Sequence, residues 1–87
     1  MDEASHILVV DDDRRIRQLL QSYLTEQGFR VTVAGTSAEA RQRMEGIVYD
    51  LIVLDIMMPG ESGLELTQSL RAKANQVPVL LLSALAD

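Results

Sequence analysis

The sequence contains no cysteine. That excludes a disulfide framework and any thiolate metal site, and it fits a reducing compartment. Basic residues are outnumbered, with 8 Lys and Arg against 13 Asp and Glu for a formal net charge of -5. Nucleic-acid phosphates are held by a surplus of Lys and Arg, so no direct nucleic-acid contact is expected of this chain. No apolar run approaches the ~20 residues that cross a bilayer. The opening Met1-Asp2-Glu3-Ala4-Ser5 also lacks the apolar core of a signal peptide. The expectation is a soluble, cytoplasmic chain without a membrane partner. Internal repeats and low-complexity tracts are missing too. The 87 residues leave room for one domain, and a hydrophobic content of 47% is too high for a disordered chain.

What is present is a set of short apolar runs that each end in an oxygen-bearing side chain. The most informative is Leu51-Ile52-Val53-Leu54-Asp55, followed by breaks at Pro59-Gly60 and Gly63. Asp55 therefore stands where a buried strand meets a surface loop. His6-Ile7-Leu8-Val9-Val10 likewise runs into Asp11-Asp12-Asp13, and Val77-Pro78-Val79-Leu80-Leu81-Leu82 runs into Ser83. Helical spacing fills the intervals. Ile16, Leu19, Leu20, Tyr23 and Leu24 form one apolar face, with Asp13 as its cap and Gly28 as its stop. Residues 29–34 alternate and read as a second strand, nearer an edge than the first. Thr36 with Glu39, and Ser62 with Glu65, are capping-box pairs. Behind them Ala38, Ala40, Met44 and Ile47 supply a narrow second stripe, and Leu64, Leu66, Thr67 and Leu70 a third, which Asn75-Gln76 closes. The sum is β-α-β-α-β-α-β with short connections, an α/β chain with a parallel sheet and right-handed crossovers.

In open α/β sheets the carboxyl ends of the strands are where ligands bind. If the first and third strands are neighbours, Asp11, Asp12 and Asp55 converge there, and three like charges repel unless a cation sits among them. Magnesium suits oxygen donors and commonly takes one or two carboxylates together with phosphate oxygens. A carboxylate beside such an ion is a competent nucleophile on phosphorus, and the Ser83 hydroxyl is placed to hydrogen-bond a phosphoryl oxygen.

The three motifs, in this order and spacing, resemble the receiver domain of bacterial two-component response regulators. The likeness runs from Ile7-Leu8-Val9-Val10-Asp11-Asp12-Asp13 through Leu54-Asp55-Ile56-Met57-Met58-Pro59-Gly60-Glu61-Ser62-Gly63 to Leu82-Ser83-Ala84. It implies a flavodoxin-like three-layer fold with the first four strands in the order 2-1-3-4. It implies that Asp55 accepts a phosphoryl group from a phosphohistidine on a sensor histidine kinase. Asp11, Asp12, Asp55 and the Met57 carbonyl would hold magnesium, Ser83 would turn toward the phosphate, and Ala84 is the small residue that keeps access open. The opening motif and the Met-Pro-Gly loop look most like regulators with a winged-helix DNA-binding domain, hence a role in transcription regulation. Catalysis would be limited to the chain's own phosphorylation and dephosphorylation.

The family continues with a fourth helix, a fifth strand that bears a switch aromatic and precedes an essential lysine, and a fifth helix. Residues 1–87 end before these and read as a truncated receiver domain. Lys73, on the helix before strand four, does not match the family lysine. An uncovered fourth strand and sheet face then lead to an expectation of self-association, as a homodimer or larger. Two other functions compete. An aspartate-nucleophile phosphatase is disfavoured because Met57 stands where a second acid is needed, and a binding-only fragment would never take up phosphate. Plainer roles are expected elsewhere: Asp13 as a helix cap, His6 as a surface residue, and Arg14, Arg15 and Arg17 as a solvated face.

Overall fold

The computed structural model describes residues 4–83. Ala84 and the residues after it, assigned above to the end of the third motif, lie outside the described residues. The elements follow the expected order: β1 (His6–Val10), α1 (Arg14–Glu26), β2 (Arg30–Ala34), α2 (Ser37–Met44), β3 (Leu51–Asp55), α3 (Gly63–Ala72) and β4 (Val79–Leu82). All pairings are parallel, and the strand order is β2-β1-β3-β4. The uninterrupted apolar runs of β1 and β3 are explained by this order, because both strands are central and covered on two faces. Leu8, Val9, Val10, Ile52 and Leu54 are fully buried. The alternating β2 lies at an edge, as its pattern requires.

Two apolar layers hold the sheet. On one face Ile7, Val9 and Val53 pack with Leu20 and Leu24 of α1. On the other, Leu8, Val10, Ile52 and Leu54 meet Ala40 of α2 and Leu66 and Leu70 of α3. The result is the three-layer, flavodoxin-like arrangement. Register then fixes the chemistry. Val10 pairs with Leu54 and Asp55 with Leu82, so Asp11, Asp55 and Ser83 emerge together at the carboxyl edge.

Several expectations are corrected in detail. Only Leu20 and Leu24 of the α1 stripe pack on the sheet, whereas Leu19 and Tyr23 are 64% and 57% exposed. Helical spacing marks an apolar face without saying how much of it a neighbour covers. In α2 the buried positions are Ser37 and Ala40, not Ala38, and Ile47 lies beyond the helix and is exposed. The helix stops at Met44, and Gly46 turns the chain with φ of 76°. Strand β4 begins at Val79 rather than Val77. Pro78 has no N–H to donate, and the Val77 N–H is taken by the Asn75 side chain at 3.1 Å. The Ser62–Glu65 capping box is reciprocal, as expected. Thr36 accepts from the Glu39 N–H, but the Glu39 carboxylate accepts from Gly35 N–H at 2.6 Å instead of closing the box.

Gly63 shows how closely α3 docks under the β3 end. A Cβ at that position would lie 2.2 Å from the Asp55 carbonyl oxygen and 2.9 Å from its carbon, both backbone atoms that cannot swing away. Gly63→Ala is therefore expected to cost about 2–3 kcal/mol, a fall in Tm of ~10 °C or more in a domain this small. A thermal melt followed by circular dichroism checks it, and an unchanged Tm would contradict this packing.

Candidate functional site

The carboxyl edge of β1 and β3 opens into a cleft lined by Asp11, Asp12, Asp13, Asp55, Met57 and Ser83, with Ile16 and Leu82 as its apolar flank. Asp11, Asp12 and Asp55 each place a carboxylate oxygen so that all lie within 4.8 Å of one another. Asp11 is buried, Asp55 half-buried and Asp12 exposed. The sheet brings together the three acids singled out above.

Local hydrogen bonds hold two of the three acids in place. Asp11 Oδ1 accepts from the Asp13 N–H at 2.8 Å, and Asp55 Oδ1 accepts from the Met57 N–H at 3.0 Å. The Met57 bond fixes the backbone beside Asp55, and with it the position of the Met57 carbonyl group. The Met57 side chain is 69% exposed and makes no part of the core. Asp13 is occupied as a helix cap, accepting from the N–H groups of Arg15 and Ile16. Its reading as a cap rather than a ligand agrees with this geometry. Ser83 is exposed on the cleft rim, one residue beyond the Leu82 that pairs with Asp55.

Electrostatics single out Asp55. Burial pushes its carboxyl above the ordinary value, the Met57 N–H pulls it down, and the charge of Asp11 with the hydrogen bond and charge of Asp12 raise it again. Among the described residues no Lys or Arg forms an ion pair with these three acids. The donor set is all oxygen, like-charged and without a counter-ion among the described residues, which is the chemistry that a hard divalent cation satisfies.

Two residues have roles that spacing did not reveal. Arg17, expected on a solvated face, donates from Nη1 to the Asp11 carbonyl at 2.8 Å. Helical side chains lean toward the N-terminus, so an arginine in the first turns of α1 reaches back under the β1 end. That lean was the available signal. His6 is likewise no loose surface group: its Nε2 lies 2.7 Å from Thr32 Oγ1, and its ring centroid is 4.6 Å from that of Tyr49. It sits at the start of β1, the opposite end of the strand from the acids. Lys73 caps the far end of α3 and takes no part in the cleft.

The chain matches the family model described as the response regulator receiver domain over residues 7–87. It is 54% identical over 79 residues to protein PetR of Rhodobacter capsulatus, covering 91% of this chain and 33% of that protein. The transcriptional activator protein PfeR of Pseudomonas aeruginosa is 43% identical over 79 residues, covering 91% of this chain and 26% of that protein. The chain thus spans a third or less of the length of these two relatives. Among solved structures, the response regulator TrrA of Thermotoga maritima in complex with magnesium and beryllium fluoride superposes with a TM-score of 0.86 at 41% identity, covering 94% of this chain and 71% of that one. TrrA in complex with the histidine kinase ThkA gives 0.85 at 41% identity, covering 95% and 72%. With the sheet order, the acidic edge and these likenesses in agreement, the chain belongs to the receiver domain family of response regulators.

Proposed function

We propose that this chain is the phosphoacceptor module of a two-component system, in which Asp55 takes a phosphoryl group from a phosphohistidine on a sensor histidine kinase and so switches an output. The observation that carries the reading is the position of Asp55. It ends a buried strand, one of its oxygens is held by the Met57 N–H, and two further carboxylates lie within 4.8 Å. In the transfer an Asp55 oxygen attacks phosphorus, an O–P bond forms, and the P–N bond breaks with its electron pair passing to the imidazole that leaves. Asp11, Asp12, Asp55 and the Met57 carbonyl would hold magnesium, which when bound offsets charge on the transferring oxygens. The Ser83 hydroxyl, on the rim, donates to a phosphoryl oxygen.

A kinase partner is supported by the complex of TrrA with ThkA, and a role in transcription by the name of PfeR. The chain would act in the cytoplasm, leave nucleic-acid contact to another domain of the regulator, and catalyse nothing beyond loss of its own phosphoryl group. Self-association belongs to the same reading. The outer edge of β4 meets no further strand among the described residues, and Leu80 on it is 52% exposed. Light scattering at high concentration is expected to show dimers or larger species, and a clean monomer would contradict that part.

Incubation with acetyl phosphate is expected to give one phosphoryl adduct by intact-mass spectrometry, dependent on magnesium and absent from Asp55→Asn. No adduct in the unmodified chain would sink the phosphoacceptor reading and leave a binding-only module.

Stability should report the same site. Because the folded state raises the Asp55 pKa, its ionised form is destabilising, fully so above the folded pKa and not at all below the unfolded value. Without magnesium, Asp55→Asn is expected to melt a few degrees higher than the unmodified chain at neutral pH, on the scale of ~4–8 °C per kcal/mol for so small a domain. The gap should close as pH falls through the folded Asp55 pKa toward its unfolded value. A gap that widens on acidification would contradict the assignment.

A further inference from the structure

The loop from β3 to α3, residues 56–62, carries the Met57 carbonyl and the Pro59-Gly60 turn, and it is tied down at several points. Gly63 N–H donates to the Ile56 carbonyl at 3.1 Å, and Met58 is buried in the core beneath α3. The far end is held by a side chain from another element. Arg41 of α2 donates through Nη1 and Nη2 to the two carboxylate oxygens of Glu61, the second bond at 2.7 Å. The same Nη2 donates to Ser69 Oγ of α3 at 2.8 Å, and Ser69 Oγ donates onward to the Leu66 carbonyl at 3.1 Å. Glu61 is gripped by its backbone as well, since Ser37 Oγ donates to its carbonyl at 3.2 Å. A single guanidinium thus joins α2, the loop and α3.

The geometry is the planar, two-pronged kind that a lysine cannot reproduce. Arg41 holds the Glu61 carboxyl below its usual range, and Glu61 raises the Arg41 guanidinium, so the pair stays ionised through neutral pH. Its side chains are 37% and 29% exposed, and ion pairs that open to solvent add little to global stability. The consequence of the pair is therefore local. It restricts the one connection that follows Asp55, at the distance of four residues from Met57.

We propose that Arg41 is a positioning residue: acting through Glu61 and Ser69, it latches the β3–α3 loop so that the Met57 carbonyl is set beside the acidic cluster for magnesium. This deepens the proposed function and rests on its reading of the cleft as a magnesium site. The latch lowers the cost of ordering the loop when the ion enters, which is preorganisation of a ligand and not a contact with the ion.

Charge and latch make opposite forecasts, which separates them. If Arg41 and Glu61 acted only through their fields, removing the cation would tighten magnesium binding and removing the anion would weaken it. The latch requires both to weaken it. Isothermal titration of magnesium chloride into the 87-residue chain is expected to give a Kd about three- to tenfold weaker in Arg41→Ala and in Glu61→Gln alike, the equivalent of about 0.7–1.4 kcal/mol. The double variant should be no weaker than the worse single one, because both remove one interaction. Tyr49→Phe, which deletes a hydroxyl bonded to the Arg43 carbonyl away from the loop, controls for general loosening and should keep the Kd of the unmodified chain. The magnesium concentration that half-saturates phosphorylation by acetyl phosphate should rise in Glu61→Gln by the same factor as the Kd. Arg41→Lys keeps the charge but not the two-pronged geometry, so it decides the matter if Arg41→Ala does not fold: the latch predicts a weaker Kd and a charge effect predicts no change. An unchanged Kd in Glu61→Gln, or shifts of opposite sign in the two variants, overturns the latch while the magnesium site stands. No isotherm in the unmodified chain overturns the site reading and the latch together.

Discussion

Three carboxylates held within 4.8 Å of one another, with no cation paired to them among the described residues, are the constraint on which the rest of the structure depends. Left to itself such a cluster would spread apart. It persists because the strands that carry it cannot move: the Val10–Leu54 pairing sits in a core where both residues are fully buried. The sheet supplies the rigidity and the acids supply the tension. Backbone donors from Asp13 and Met57 take part of the load by hydrogen-bonding the Asp11 and Asp55 carboxyl groups. What remains is an acidic cluster with no cationic partner among the described residues, the charge pattern on which the proposed magnesium and phosphoryl chemistry rests.

The surroundings of the cluster serve its placement. Arg17 holds the β1 end by its carbonyl, and the short approach of Gly63 to the Asp55 backbone lets α3 start immediately beneath the site. The Ser62 capping box closes the first turn of α3 without a neighbouring element. Together with the Arg41 bridge, these contacts fix the loops on both sides of the acidic cleft. Precision at the cleft therefore comes from loops tied to helices that are themselves anchored in the two core layers.

Much of this was legible in the sequence. Unbroken apolar runs identified β1 and β3 as central strands, and the carboxylate at the end of each run located the site, because only a doubly covered strand tolerates such a run. The reciprocal box at Ser62 was legible since both partners are local. The misses share a cause. Whether Leu19 and Tyr23 are covered, and where Arg17, Arg41 and Glu61 find partners, depends on what a long or amphipathic side chain meets across the fold. Sequence spacing records only neighbours along one element. The exchange of Glu39 from Thr36 to Gly35 is a smaller instance, decided by the position of the β2–α2 turn.

The central claim is that the carboxyl edge of β1 and β3 is a magnesium site built from these acids. Amide shifts of a nitrogen-15-labelled chain titrated with magnesium test it residue by residue. The account predicts saturable changes centred on Asp11, Asp12, Asp13, Asp55, Ile56 and Met57, with little movement at His6 or Tyr49 at the opposite end of the sheet. Changes spread evenly over the exposed carboxylates, or none at the cluster, would contradict it.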